Sequence, residues 1–318
     1  MFSHLPKTEL HCHVDGIVSP DILRAIQAGG YPIPVSPEVL QSAYPIRNQP
    51  EFWRYFELAD PCEDDFELMK RILAIHVECL KAQNVAYAEI MLGSSELPRD
   101  PDRLVEDFRA FREWVTGLED GQIQIEFLVA FGRNRPLERL DQIADRLIPL
   151  HQAGLLVGVA LAGPELGYPV RPLARVFAKL REAGLGIEIH AGEWAGPESV
   201  WDALEFGSPN RIGHGVAIFQ DSKLIDRVGR DQIHIEMCPT SNLKTGSVNR
   251  IEDHPIRRAK ELGLNFSLNT DDPGPFECSL DSEYQLLADT FGFTESDFER
   301  IAGNALKSRF QPALRYIH

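Results

Sequence analysis

Eight short runs rich in apolar and β-branched residues recur along the chain: TELHCHV, VAYAEIML, IQIEFLVAF, LLVGVALAG, LGIEIHAG, NRIGHG, QIHIEMCP and LNFSLNT. Several alternate with period two, the period at which strand side chains share a face, and each predicts a strand. Between them apolar positions fall at helical spacing, as in DDFELMKRILAIHVECLKAQ and PLERLDQIADRLIPLHQ. Helix stops carrying glycine precede several strands, in QAGLLVGV, REAGLGIEI and KELGLNFSL. Eight alternating units in 318 residues predict an α/β fold, a (β/α)8 TIM-type barrel spanning residues 1–318 as one domain. An open doubly wound sheet is the competing topology, but no GxGxxG follows the first strand. No linker or low-complexity tract marks a second domain.

The stretch from Ile17 to Asp65 is long for one strand-to-helix connection and rich in proline and aromatics. Short helices are expected there. An insertion after the first strand of a barrel sits over its mouth, as a lid or as packing onto the rim.

Composition is ordinary for a globular protein, with 43% hydrophobic and 25% charged residues. The formal charge of −16 repels phosphate backbones and anionic lipid, so neither nucleic acid nor membrane is an expected partner. The five cysteines are odd in number and scattered, with no CxxC pair, which fits reduced thiols in a reducing compartment. MFSHLPKTELHC shows no basic segment followed by an apolar core, and no run approaches the roughly 18–20 apolar residues of a membrane span. A cytoplasmic location is the resulting expectation.

Chemistry-bearing residues collect at the predicted strand ends. His11 and His13, two apart in PKTELHCHVDG, place both imidazoles on one face of the first strand. His190 ends the fifth strand with Glu193 three residues on, His214 ends the sixth, and Asp271 and Asp272 follow the eighth. Barrel active sites are assembled from the C-terminal ends of different strands. Three histidines and one carboxylate from such a set make a mononuclear zinc site, one ion per chain. With three neutral imidazoles and one aspartate the ion keeps a charge of about +1 and lowers the pKa of bound water toward 7. Glu193, kept protonated, would then donate a proton to the substrate, His214 would orient the attacking water or take its proton, and Asp272 would accept a hydrogen bond. The chemistry these residue types suggest is metal-assisted hydrolysis or deamination at a trigonal carbon.

Five segments, PKTELHCHVDG, HAGEW, NRIGHG, EMCPTSNLKTG with HPI soon after, and SLNTDDP, resemble in sequence and order the adenosine deaminase family of the amidohydrolase superfamily. The resemblance implies a zinc-bearing barrel that hydrolyses the amino group from C6 of a purine. It implies His11, His13, His190 and Asp271 as ligands, Glu193 as the acid that protonates ring N1, and His214 acting on the attacking water beside Asp271. Asp272 would hold N7, and the Gly163 backbone in LAGPE would meet N3. Asp15 in HVDG would meet a ribose 5′ hydroxyl, and Phe52 and Phe56 in FWRYF would gate the pocket. The implied partner is a small-molecule purine, and the expected reaction is conversion of adenosine or deoxyadenosine to inosine plus ammonia. Adenine, or a modified adenosine such as aminodeoxyfutalosine, is the alternative substrate.

Two departures from the family pattern bear on the substrate. Where the family often reads DLAGDE this chain has ALAGPE, with Ala160 and Pro164, and the end of the second strand reads AEIMLGSSE.

Overall fold

Strands rich in Val, Ile and Leu, bounded by glycine and polar turns, form one parallel sheet of eight in the order β1 to β8. They are β1 Lys7–His13, β2 Val85–Gly93, β3 Gln124–Gly132, β4 Gly158–Ala162, β5 Gly186–Ala191, β6 Arg211–His214, β7 His234–Met237 and β8 Phe266–Leu268. Each strand pairs in parallel with the next. The structure is a computed structural model and describes residues 2–315 apart from 64, 99 and 312; the outermost positions of the expected 1–318 domain lie outside the described residues. The alternation of strands with helices is the (β/α)8 barrel that the hydrophobic rhythm predicts.

The sheet closes on itself between β8 and β1. The N–H of His13 donates to the carbonyl of Asp271 and the N–H of Asp271 to the carbonyl of His11, each at 2.9 Å. The predicted strand LNFSLNT is shorter than expected because side chains replace part of this seam. The N–H of Leu10 donates to Asn269 Oδ1 (3.0 Å) and that of Thr270 to Glu9 Oε2 (3.2 Å). The closure brings the two ends of the first and last strand motifs, His11, His13 and Asp271, to one point of the rim.

Alternate positions on the strands point into the barrel, and several carry charge. The buried Arg211 guanidinium bridges Glu89 Oε2 (2.7 Å) and Glu236 Oε1 (2.5 Å) and stacks on Phe310. Burying a charge is costly unless it is paired, and here it is paired on both sides.

The connection after β1 contains three short helices, α1 Pro20–Ala28, α2 Pro37–Gln41 and α3 Gln49–Ala59, before the longer α4 Phe66–Ala82. Ser19, Ser36 and Asn48 cap their N-termini by accepting from the N–H of Ile22, Val39 and Glu51, and each is followed within two residues by proline. The insertion is fastened to the barrel mouth: the Tyr55 hydroxyl donates to the carbonyl of Val18 (2.5 Å) and that of Tyr44 to the carbonyl of Gly274 (2.7 Å). Phe52 stacks on Phe276 with ring centroids 5.3 Å apart. Among the described residues no helix is long and apolar enough to cross a membrane.

Candidate active site

His11 and His13 from β1, His190 from β5 and Asp271 beyond β8 converge so that one ligand-type atom from each lies within 4.8 Å of the others. His13 Nε2 is 3.2 Å from His190 Nε2, and Asp271 Oδ1 lies 3.3 Å from His11 Nε2 and 3.5 Å from His13 Nε2. Burial holds the pKa of His13 below its usual value and that of His190 well below, leaving neutral imidazoles suited to coordination. At His11 burial acts in the same direction, but the neighbouring carboxylates of Asp271 and Glu236 outweigh it and raise the pKa well above normal. A proton is favoured there because carboxylates face it from both sides, which is the electrostatic signature of a cation site. His11 Nε2 is also a buried nitrogen without a hydrogen-bond partner among the described residues. Donor types, spacing and charge all fit a single metal ion.

Carboxylates stand behind two of the rings. Glu236 Oε2 meets His11 Nδ1 at 2.6 Å and Glu188 Oε2 meets His190 Nδ1 at 3.1 Å. Each accepts the Nδ1 proton, which turns Nε2 of the ring toward the common point. Gly213 in RIGHG makes room for this pair: a Cβ there would lie 2.2 Å from Glu188 Oε1 and 2.9 Å from His11 Cε1. Gly16 does the same for Asp272, whose Oδ1 would be 2.0 Å from a Cβ. Ser241 donates to Asp271 Oδ2 at 2.7 Å. His214 and Asp271 both hold left-handed backbone, with φ of 60° and 63°, a strained state for non-glycine residues that often marks functional positions.

Glu193 is buried, with Oε2 3.5 Å from His214 Nε2. Burial, then the charges of Asp271 and Glu165, raise its pKa well above the usual carboxylate range, so it holds a proton at neutral pH. Its loop is gripped from beneath by Glu165. That carboxylate accepts from the N–H groups of Gly192, Glu193 (3.1 Å), Trp194 (2.8 Å) and Ala195 (3.0 Å), and from the Ser199 hydroxyl. Arg133 donates to the carbonyls of His190 and Tyr168.

The remaining expected residues line the same pocket, a cavity of about 230 Å³ reached by Asp15, Phe52, Phe56, Gly163, Glu193, His214, Asp271 and Asp272. Burial, then Asp271 and Asp15, raises the Asp272 pKa well above normal, making it a neutral acid able to donate. Gly163 holds a φ of +88° against Gly132, a conformation that requires glycine. The altered β2 end contributes Gly93, Ser94 and Ser95 to the wall, and Arg135 and Trp194 complete the rim.

Glu188, Glu236, Glu165, Asn242 and His254 were not singled out by sequence reasoning. A signal existed for the first two. Glu188 stands two before His190 in IEIH, and Glu236 interrupts the apolar run IHIEM, so both sit on an inward face.

Fold and site together define a hydrolytic deaminase of the amidohydrolase type. The chain belongs to the adenosine deaminase family, whose model, described as "Adenosine deaminase", matches residues 6–316. A protein of Rhizobium leguminosarum bv. trifolii named adenine deaminase is 32% identical over 320 residues, covering 98% of this chain and 96% of that one. The crystal structure of an adenine deaminase from Arthrobacter aurescens superposes with a TM-score of 0.83 at 25% identity, covering 96% of this chain and 94% of that one. A zinc-bound amidohydrolase from Burkholderia ambifaria shares the fold, with a TM-score of 0.82, 22% identity and coverage of 98% and 87%.

Proposed function

We propose that this protein catalyses hydrolytic deamination at C6 of an aminopurine, using one zinc ion held by His11, His13, His190 and Asp271. The observation that carries the reading is the buried Glu193, its pKa raised well above the usual range by burial, 3.5 Å from His214 in a pocket that His13, His190 and Asp271 also line. Zinc in this position would supply a Lewis acid that lowers the pKa of a water molecule. The protein's own groups do the rest. As water adds to C6 the ring loses its aromaticity and negative charge collects on the ring nitrogens. Glu193 delivers its proton to N1, acting on charge that grows toward the transition state. Asp272, a neutral acid, donates to N7, which can only accept, and the Gly163 N–H meets N3. Asp271, ionised, stands beside the attacking oxygen, and His214 orients it. Phe52 and Phe56 exclude bulk water. Asp271 takes one proton of the attacking water and passes it to the amino group, which leaves C6 as ammonia; the second water proton restores Glu193, and the product keeps a carbonyl at C6 and the proton on N1.

Adenosine or deoxyadenosine is the proposed substrate class, because Asp15 lines the pocket where a sugar hydroxyl can reach it. Adenine is the second reading, favoured by the names of relatives that align over almost the whole chain. Ammonia release by metal-analysed protein from adenosine, deoxyadenosine, adenine, AMP and aminodeoxyfutalosine tests both. Turnover of none of them would remove the assignment.

A further inference from the structure

Next to the catalytic pocket lies a buried carboxyl that the proposed reaction does not use, Glu165. It follows β4 in the run Ala162, Gly163, Pro164, Glu165. Its Oε1 accepts from the Gly192 N–H and the Ser199 hydroxyl, and its Oε2 from the N–H groups of Glu193, Trp194 and Ala195. Successive amides converge on one side chain only where the backbone curls, and Gly192 supplies the bend with a φ of +71°. Arg133 adds a second tie between the same two segments, donating to the carbonyls of Tyr168 and His190.

The Glu193 carboxyl itself is loosely held. Its Oε1 receives the Thr245 hydroxyl at 3.5 Å, and its Oε2 stands 3.5 Å from His214 Nε2. Both contacts are at the outer limit of hydrogen bonding. Contacts of that length do not fix an acid as closely as proton transfer demands, since a misplacement of about 1 Å can cost about 10²-fold in rate. Its placement must come from the backbone, and the amides of residues 192–195 are held by Glu165. The far end of this hold reaches the substrate. Gly163, two residues before Glu165, lines the pocket, and Pro164 between them is confined to a φ of about −65°. The strap from Gly163 to Glu165 therefore has little slack.

We propose that Glu165 is a positioning residue for the proton donor: it fixes the backbone of Glu193 and, through the strap, sets that acid in register with the Gly163 amide. The inference rests on the roles given above, Glu193 delivering a proton to N1 and Gly163 meeting N3. Because the hold acts on the donor, its loss is felt in the chemical step more than in substrate binding.

A double-mutant cycle on the zinc-loaded full chain tests this, using whichever of adenosine and adenine the wild type turns over faster. Glu165→Gln keeps the shape but sets an amide NH2 where backbone donors point, so the hold on at least one side fails. It should lower kcat at least about tenfold, with KM within about threefold and one zinc per chain retained. In a Glu193→Gln background the same change should alter kcat by less than about twofold, because no donor is left to position. Ser199→Ala removes one donor to Oε1 and spares the amides, and it serves if Glu165→Gln fails to fold. It should lower kcat about threefold in the wild-type background and leave it unchanged beside Glu193→Gln. A wild-type kcat in Glu165→Gln, or equal costs in both backgrounds, would overturn the positioning role and leave Glu193 as the donor. A near-normal kcat in Glu193→Gln alone would remove the donor reading and this inference with it.

Discussion

His254 Nε2 lies 3.2 Å from Asn242 Oδ1, deep in the barrel rim, and this contact determines where the proton of His214 resides. The Ile256 N–H donates to His254 Nδ1 at 3.2 Å, so His254, neutral with a pKa pushed down to about 3 by burial, carries its proton on Nε2. Asn242 must then accept at Oδ1 and donate from Nδ2 to His214 Nδ1, 3.1 Å away. His214 is itself held neutral, its pKa lowered to about 3 chiefly by burial. With Nδ1 accepting, its only N–H is on Nε2, facing Glu193. In the proposed reaction a donor at that nitrogen would orient the attacking oxygen rather than remove its proton. The motifs CPTSN and HPI thus act on the site through a side-chain chain that begins at a backbone amide.

Asn242→Asp tests this tautomer control. A carboxylate would accept from His214 Nδ1 and draw the proton away from Nε2. We expect kcat to fall at least about 10²-fold, with zinc content and thermal stability close to wild type. Asn242→Ala, which leaves the tautomer free, should cost less. An Asp variant as active as wild type would show that the position of the proton is immaterial.

Glu193→Gln separates proton delivery from binding. The amide keeps shape and hydrogen bonding but cannot supply the proton in the same way. kcat should drop by about 10²-fold or more with a smaller change in KM, provided elemental analysis shows the metal retained. A near-normal kcat would move the proton donor elsewhere.

Metal removal is the third test. One zinc per chain should be found, chelation should abolish turnover, and His11→Ala or His13→Ala should lose metal and activity together. Glu236→Gln leaves the ligand set complete but weakens the acceptor behind His11 Nδ1. Its metal affinity should fall about 10- to 100-fold, read by competition with a chromophoric chelator. Full activity in rigorously metal-free protein would exclude the zinc chemistry.

For Asp15 the readout is substrate preference. If its carboxyl meets the sugar, adenosine should exceed adenine in kcat/KM at least about tenfold, the worth of one modest hydrogen bond to a charged group. Asp15→Ala should erase that difference and leave zinc in place. Equal turnover of nucleoside and base by the wild type would favour the adenine reading.

Glu283 provides a pH test away from the reaction. It is fully buried, accepts from the Thr240 N–H, and burial pushes its pKa up from 4.5 to about 7. A raised carboxyl pKa means the folded state binds the proton more tightly, so the stabilisation is complete below pH 4.5 and is lost as pH rises through 7. Urea unfolding should show wild type losing about 3 kcal/mol across that window relative to Glu283→Gln, whose side chain does not titrate. Parallel pH profiles for the two proteins would contradict a buried neutral carboxyl.

The barrel was legible in the sequence because hydrophobic period and turn residues are local: each strand and helix announces itself within about ten residues. The candidate ligand set was legible for a related reason. His11, His13, His190 and Asp271 are strand-end residues in short motifs, and a parallel barrel delivers all strand ends to one face. What lay beyond local pattern is how those residues are held. Glu236 reaches His11 across 225 positions, Glu165 grips a loop 27 to 30 positions away, and Asn242 fixes the proton of His214 across 28. Nothing in the composition around a glutamate or an asparagine states which distant donor it will meet. Only closure of the sheet, which puts Asp271 against His11 and lays the loops over them, decides those pairings. The sequence determined the chemistry's ingredients, while the tertiary structure decided their protonation and aim, because both depend on burial and on neighbours that only the folded chain supplies.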